Sequence, residues 1–187
     1  MTVDLTGKSF RFFGSKSAIS DAVETALVAN GARMTTGHGD ILIVAYPLLP
    51  EVDTDLIKLT EDARVMAEHQ GGRIVVLLSA VAVVPMRRHV DYSATMSAAY
   101  AHVRGLAMQF GPSVLINAIG CGLIEDDRGM QLAGDTHMLT HVPLGHAGSC
   151  EDISDAVLFL SDPQNSYTTG QILVVDGGWS PGYGRNF

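Results

Sequence analysis

The run Gly72-Arg73-Ile74-Val75-Val76-Leu77-Leu78-Ser79 constrains the fold more than any other stretch of the chain. Its apolar residues are consecutive, whereas a strand with one wet face alternates polar and apolar side chains, so this strand is buried on both faces. Strands of that kind belong to parallel sheets, whose neighbours are joined by crossover helices that cover both sides. Asp40-Ile41-Leu42-Ile43-Val44-Ala45 and the stretch from Val114 to Ile124 have the same character, and helical patterns alternate with all three. The expected class is α/β, a doubly wound, mainly parallel sheet flanked by helices.

The remaining elements follow from periodicity and punctuation. Ser9 to Phe13 is aromatic and reads as the first strand, and Ser17 to Asn30 reads as a helix stopped by Gly31. Glu51 to Gln70 is an acidic amphipathic helix with Val52, Leu56, Leu59, Ala63 and Met66 on one stripe. A small-residue helix runs from about Tyr92 to Phe110, with Ala94, Ala98, Ala101, Gly105 and Met108 along one line. That line either packs on its own sheet or meets a partner. Glu151 to Leu160 carries acidic residues where the helix dipole favours them, and Ile172 to Val175 precedes an Asp176-Gly177-Gly178 turn.

One segment resists this scheme. Between Arg33-Met34-Thr35-Thr36 and the strand at Asp40 stand only Gly37-His38-Gly39, whereas a parallel crossover needs roughly a dozen residues. Arg33 to Thr36 is therefore expected to be a short antiparallel edge or no strand. With the first helix then linking Ser9–Phe13 directly to Asp40–Ala45, the right-handed crossover rule would set that helix on the opposite sheet face from the usual one.

Composition narrows the function classes. The 187 residues, 47% apolar, suffice for one compact domain over 1–187. A net charge of -8 and a pI of about 5.2 disfavour nucleic acid and anionic membranes as partners. No targeting segment or membrane-length apolar run is visible, and Cys121 and Cys150 lack metal-type spacing, which fits a reducing cytoplasm. His137 and His141, with Asp135 and His146 nearby, are too loosely patterned for a metal site, and none is expected. Cys121 has no base tied to it and reads as a loop residue rather than a nucleophile.

Ser79 and Tyr92 stand thirteen positions apart, the spacing of the active-site Ser and Tyr of the short-chain dehydrogenase/reductase family, which this chain resembles over nearly its whole length. The match is close from Val114 onward: Asn117 and Gly122 fit the family's V-N-A-I-x-P-G-x-I turn with Cys121 at the Pro, and Thr168-Thr169-Gly170 to Gly178 fits its closing strand. The family implies a Rossmann-like fold, here with a truncated N-terminal, nucleotide-side half. It also implies nicotinamide-dependent oxidoreduction and oligomers built through the acidic and small-residue helices.

Several positions depart from the family pattern. Its glycine-rich turn T-G-x-x-x-G-x-G keeps Gly14 but carries Ala18 and Ser20 at the later glycines, its N-N-A-G strand end reads Val44-Ala45-Tyr46-Pro47, and its Lys position holds Met96. A Lys there favours phenolate and grips the nicotinamide ribose, and the missing glycines would let backbone approach a pyrophosphate. Arg87, Arg88, His89 and Arg104 are the nearby cations that could stand in.

The resulting expectation is a catalytically degenerate subunit that binds no cofactor and assembles with an active full-length relative, as in heteromeric family dehydrogenases of CoA-thioester β-oxidation. The alternative is a nucleotide-independent enzyme or small-ligand binding protein, using Ser79 and Tyr92 on a carbonyl, hydroxyl or epoxide. Against either active role stand ordinary ones: a strand-end Ser capping backbone, and a helix-start Tyr packing with its hydroxyl satisfied.

Overall fold

The computed structural model describes residues 2–14, 16–48, 56–125 and 139–182. A six-stranded sheet, every pairing parallel, runs β2-β1-β3-β4-β5-β6. Its strands are β1 (Ser9–Gly14), β2 (Arg33–Met34), β3 (Ile41–Ala45), β4 (Gly72–Ser79), β5 (Val114–Cys121) and β6 (Ile172–Val175). The helices are α1 (Ala18–Ala29), α2 (Leu56–His69), α3 (Val90–Phe110), α4 (Cys150–Ser161) and the short α5 (Trp179–Gly182).

The consecutive apolar runs do what their pattern requires. Along β3 and β4, Leu42, Val44, Ile74, Val76 and Leu78 face one core with Leu59, Ala63 and Met66 of α2 and Met96, Ala99 and Val103 of α3. Ile41, Ile43, Val75 and Leu77 face the other, with Val23 and Leu27 of α1 and Ile153 and Val157 of α4. Period-two alternation within an unbroken apolar strand feeds both layers at once.

Two expectations about the N-terminal half are corrected. Arg33–Met34 is a strand and it is parallel, paired Ser9↔Arg33 and Phe10↔Met34. It is only two residues long, so it never rises to the far edge of the sheet. Phe10 also pairs with Ile41, so the connection leaves Met34 and enters β3 at one level of β1 and passes beneath that strand. Helix α1 therefore joins two parallel neighbours, β1 and β2, and packs against α4; the expected change of face does not occur.

The connection is anchored by Asp40, whose carboxylate accepts from the Ser9 backbone N–H and Ser9 hydroxyl, both at 2.9 Å, and from Lys8 at 3.3 Å. Burial pushes that carboxyl up, but the donors from Ser9 and Lys8 outweigh it and hold it below the usual carboxylate range.

Helix α3 buries a different face from its small-residue line. Tyr92, Met96, Ala99, Val103, Leu106 and Ala107 are its buried face, whereas Ala94, Ala98, Ala101 and Met108 are exposed. The small-residue line does not pack on its own sheet.

Candidate active site

The carboxyl ends of β1, β3, β4 and β5 form one edge, and Ser79 and Tyr92 meet there. Strand β4 ends at Ser79, whose hydroxyl caps the short turn Ala80–Ala82 by accepting from Val81 N–H at 3.4 Å. Tyr92 lies in the first turn of α3, 8% exposed. That turn is held by Ser93, which accepts from Met86 N–H at 2.9 Å and donates to the His89 carbonyl at 2.8 Å. The Ser79 hydroxyl stands near enough to the Tyr92 phenol to favour its anion, and the phenol donates to the Pro47 carbonyl at 3.1 Å, beyond the end of β3.

Burial pushes Tyr92 up to about 12, against the opposing effect of the Ser79 hydroxyl. Met96, one turn along the same helix face, is fully buried in the core and brings no charge. The other cations do not take its place. Arg87, Arg88 and His89 are exposed on the segment before α3. Arg104 is exposed and lies over the Tyr100 ring, 5.9 Å from its centroid, and His102 meets the Thr60 hydroxyl at 2.8 Å. Cys121 is buried and its thiol is pushed up to about 12 by that burial, which does not suit a nucleophile; it ends strand β5 rather than lying in a loop, which corrects the expected position.

The turn after β1 shows where the two residues at the family's later glycines lie. Ser20 is folded back into the helix: its hydroxyl accepts from Ser17 N–H at 2.8 Å and donates to the Ser17 carbonyl, while the Ser17 hydroxyl accepts from Ser20 N–H at 3.2 Å. The S-x-x-S spacing held the signal for this reciprocal cap. Ala18 is exposed at the helix start, where the first amides of any helix point outward without an intrahelical partner. Gly14 is required for a different reason. Its φ is +137°, and a Cβ there would sit 2.5 Å from the Ala45 carbonyl.

Asn117, matched to the family turn, is structural: it donates to the Thr168 carbonyl at 2.8 Å and accepts from Gln171 N–H at 3.0 Å, pinning β5 to the segment before β6. Gly122 lets the chain cross Asp176, whose Cα would lie 2.5 Å from an added Cβ. The residues that sequence reasoning missed are the Pro47 carbonyl, a backbone group without a residue-type signature, and Ser93. His137 and Asp135 lie outside the described residues, as do residues 51–55 of the expected acidic helix; among the described residues no cluster could hold a metal ion, and no helix is long and apolar enough to cross a membrane.

A doubly wound parallel sheet with a Ser and a Tyr brought together at its carboxyl edge defines a Rossmann-like class. The comparisons narrow it. A family model described as enoyl-(acyl carrier protein) reductase matches residues 54–180, more than half of the chain, and the chain belongs to the short-chain dehydrogenase/reductase family. It is 35% identical over 118 residues to the 3-oxoacyl-(acyl-carrier-protein) reductase FabG of Aquifex aeolicus, covering 62% of this chain and 48% of that protein. A 3alpha-hydroxysteroid dehydrogenase of Mediterraneibacter gnavus is 28% identical over 185 residues, covering 88% and 74%. The chain thus spans about half the length of most of the curated relatives it matches.

Among solved structures, a gluconate 5-dehydrogenase from Burkholderia cenocepacia in complex with NADP and tartrate superposes with a TM-score of 0.81 at 17% identity, covering 95% of this chain and 97% of that one. A 2-deoxy-d-gluconate 3-dehydrogenase from Agrobacterium tumefaciens with bound NADP gives 0.76 at 21%, covering 94% and 97%. These likenesses establish the fold.

The expectation of a cofactor-free, non-catalytic subunit, and its nucleotide-independent alternative, is corrected by these findings. The named relatives are a reductase and a dehydrogenase, and the two structures superposed above hold NADP. The misreading came from counting replaced letters as lost cofactor contacts; Ser20, one of them, spends its hydroxyl on its own helix.

Proposed function

We propose that the chain is an NAD(P)-linked oxidoreductase acting mainly in the direction of carbonyl reduction, with Ser79 and Tyr92 as its catalytic residues. The observation that carries this reading is the meeting of the Ser79 hydroxyl and the Tyr92 phenol at the sheet edge where β1 turns into α1. The Gly14 turn and the outward amides at the start of α1 suit the phosphates of a dinucleotide. When bound, such a cofactor supplies hydride to the carbonyl carbon.

Ser79 and Tyr92 then serve the carbonyl oxygen. Both hydroxyls can hydrogen-bond it, which draws electron density from the carbon under attack. Tyr92 exchanges its bond to Pro47 for one to the substrate and gives up its proton as charge develops, and the resulting phenolate is stabilised by the Ser79 hydroxyl. A phenol titrating at about 12 is fully protonated at neutral pH, which suits a general acid and disfavours a general base. Met96 in place of the family's Lys thus biases direction. We read the chain as a shortened member of the family in which that amine and two turn glycines have been replaced.

Its relatives reduce 3-oxoacyl carriers or oxidise hydroxysteroids by name, so 3-oxoacyl thioesters and ketosteroids are the first substrates to try. The exposed small-residue line of α3 supports self-association of the chain through that helix. The test is oxidation of NADH and NADPH by the purified chain with those ketones, beside Tyr92→Phe. The reading expects turnover in the parent and its loss in a folded variant. Failure of the folded parent to bind either nucleotide by calorimetry overturns it.

A further inference from the structure

We infer that His38 and His69 form a two-imidazole site for a divalent transition-metal ion of the nickel and copper class. The pair lies at the amino edge of the sheet. His69 is the last residue of α2, just before β4 begins at Gly72, and His38 stands between Gly37 and Gly39 on the connection from β2 to β3. The length of β4, at about 3.3 Å per residue, sets this place roughly 20 Å from the Ser79–Tyr92 pair.

The two rings come from different elements and yet meet, with centroids 4.0 Å apart and planes tilted by 34°. Both residues are exposed, so a solvated ion reaches them. One nitrogen of the pair is already committed: His69 Nδ1 lies 2.8 Å from the Val65 carbonyl. A carbonyl only accepts, so Nδ1 carries the hydrogen and the Nε2 lone pair of the neutral ring is left for a ligand. Ligating histidines are commonly fixed in this way, by donating their other ring N–H to a backbone carbonyl. His38 has no hydrogen-bond partner among the described residues. Its ring turns about χ2 in a broad, roughly two-fold well, so either nitrogen can be brought to the ion.

The spacing selects the ion. With metal–nitrogen bonds of about 2.0–2.1 Å, each ring centroid stands about 3.2 Å from the metal. Two rings are then about 4.5 Å apart when bound at a right angle, as on square-planar or octahedral ions, and about 5.2 Å apart at a tetrahedral angle. From the observed 4.0 Å, the first arrangement needs an opening of about 0.5 Å and the second more than twice as much. Square-planar and tetragonal nitrogen sites suit Cu(II) and Ni(II), whereas tetrahedral ones suit zinc. Glycines on both sides of His38 keep so small a movement cheap.

No third His, Cys, Asp or Glu completes a cluster here among the described residues. The adjacent carboxylate of Asp40 is already occupied by Ser9 and Lys8. Water therefore fills the remaining positions, and the ion is exchangeable rather than resident. Its structural effect is to tie the end of α2 to the connection that passes beneath β1.

The experiment titrates Ni²⁺ against the untagged, intact chain by calorimetry and by the unfolding midpoint, with Mg²⁺ as the oxygen-seeking control. One equivalent of Ni²⁺ is expected to bind and to raise the midpoint saturably, where Mg²⁺ does neither. Removing a ligand should cost at least as much as removing its outer partner, so His38→Ala and His69→Ala should each weaken Ni²⁺ at least tenfold. His69→Ala also loses the bond to Val65, so His38→Ala decides the matter if that variant is unstable. The Cu²⁺ form needs no substitution, because its electron paramagnetic resonance signal is split by the nitrogens bound to it, and two are expected. No saturable Ni²⁺ binding, binding undiminished in a folded variant, or a Cu²⁺ signal with fewer than two bound nitrogens overturns the proposal. Neither nucleotide nor ketone enters the readout, so its failure is distinct from failure of the proposed function.

Discussion

The two flanks of the sheet are built to different depths. Strands β4 and β5 pair over eight residues, from Gly72↔Val114 to Ser79↔Cys121, whereas β1 and β2 pair over two. The deep flank ends in the hydroxyl pair that would handle a substrate oxygen. The shallow flank offers one strained glycine turn and one self-capped helix. Long parallel pairing places Ser79 firmly, and the apolar face of α3 brings Tyr92 to it. On the other side, position depends on a few local contacts: Gly14 against Ala45 and Asp40 beneath Ser9. On the proposed function, the Ser79–Tyr92 side should therefore fail through chemistry when altered, and the Gly14 side through structure.

The sharpest way to test that contrast is Tyr92→Phe. It removes the proton donor and leaves the core intact, so turnover should fall about 10³-fold, with the unfolding midpoint nearly unchanged by circular dichroism. Gly14→Ala should do the reverse and act on stability. An added Cβ would meet the Ala45 carbonyl at 2.5 Å and hold φ at +137°, so a loss of about 2–3 kcal/mol is expected in urea unfolding. Ser79→Ala keeps the phenol but removes the hydroxyl that favours its anion; about a tenfold loss in kcat, with little change in KM, would place Ser79 in the transition state.

Smaller still is Asp40→Asn, expected to cost about 1 kcal/mol. The sign of its pH dependence follows from a folded-state pKa below the unfolded one. The contribution is present above the unfolded carboxyl's pKa and disappears as pH falls through the folded value. Parent and variant should converge in stability in acid, as measured by urea titration at stepped pH.

Much of the deep flank was legible from the sequence, and for a physical reason. Unbroken apolar runs such as Gly72–Ser79 admit few structures, and the stripe of Leu59, Ala63 and Met66 points to its own core. The shallow flank was misread because its logic is local and short-range. A strand of two residues obeys none of the length rules applied to Arg33–Thr36, since it can be parallel without a long return. Ser20 looked like an obstruction because a letter does not say which way a hydroxyl turns; the Ser17–Ser20 spacing was the clue. The Tyr92–Pro47 bond involves a main-chain carbonyl and leaves no trace in residue type. The reading of function failed where substitutions were counted without asking which of them fill space.

The central claim is that Tyr92 works as a neutral acid in a site without a neighbouring ammonium. The most direct measurement is the pH profile of both reaction directions with saturating nucleotide. With the phenol at about 12, carbonyl reduction should be level from about pH 6 to 9, while alcohol oxidation rises about tenfold per pH unit over the same range. An oxidation rate that levels off near neutrality would mean that the phenolate forms there, and would contradict the account.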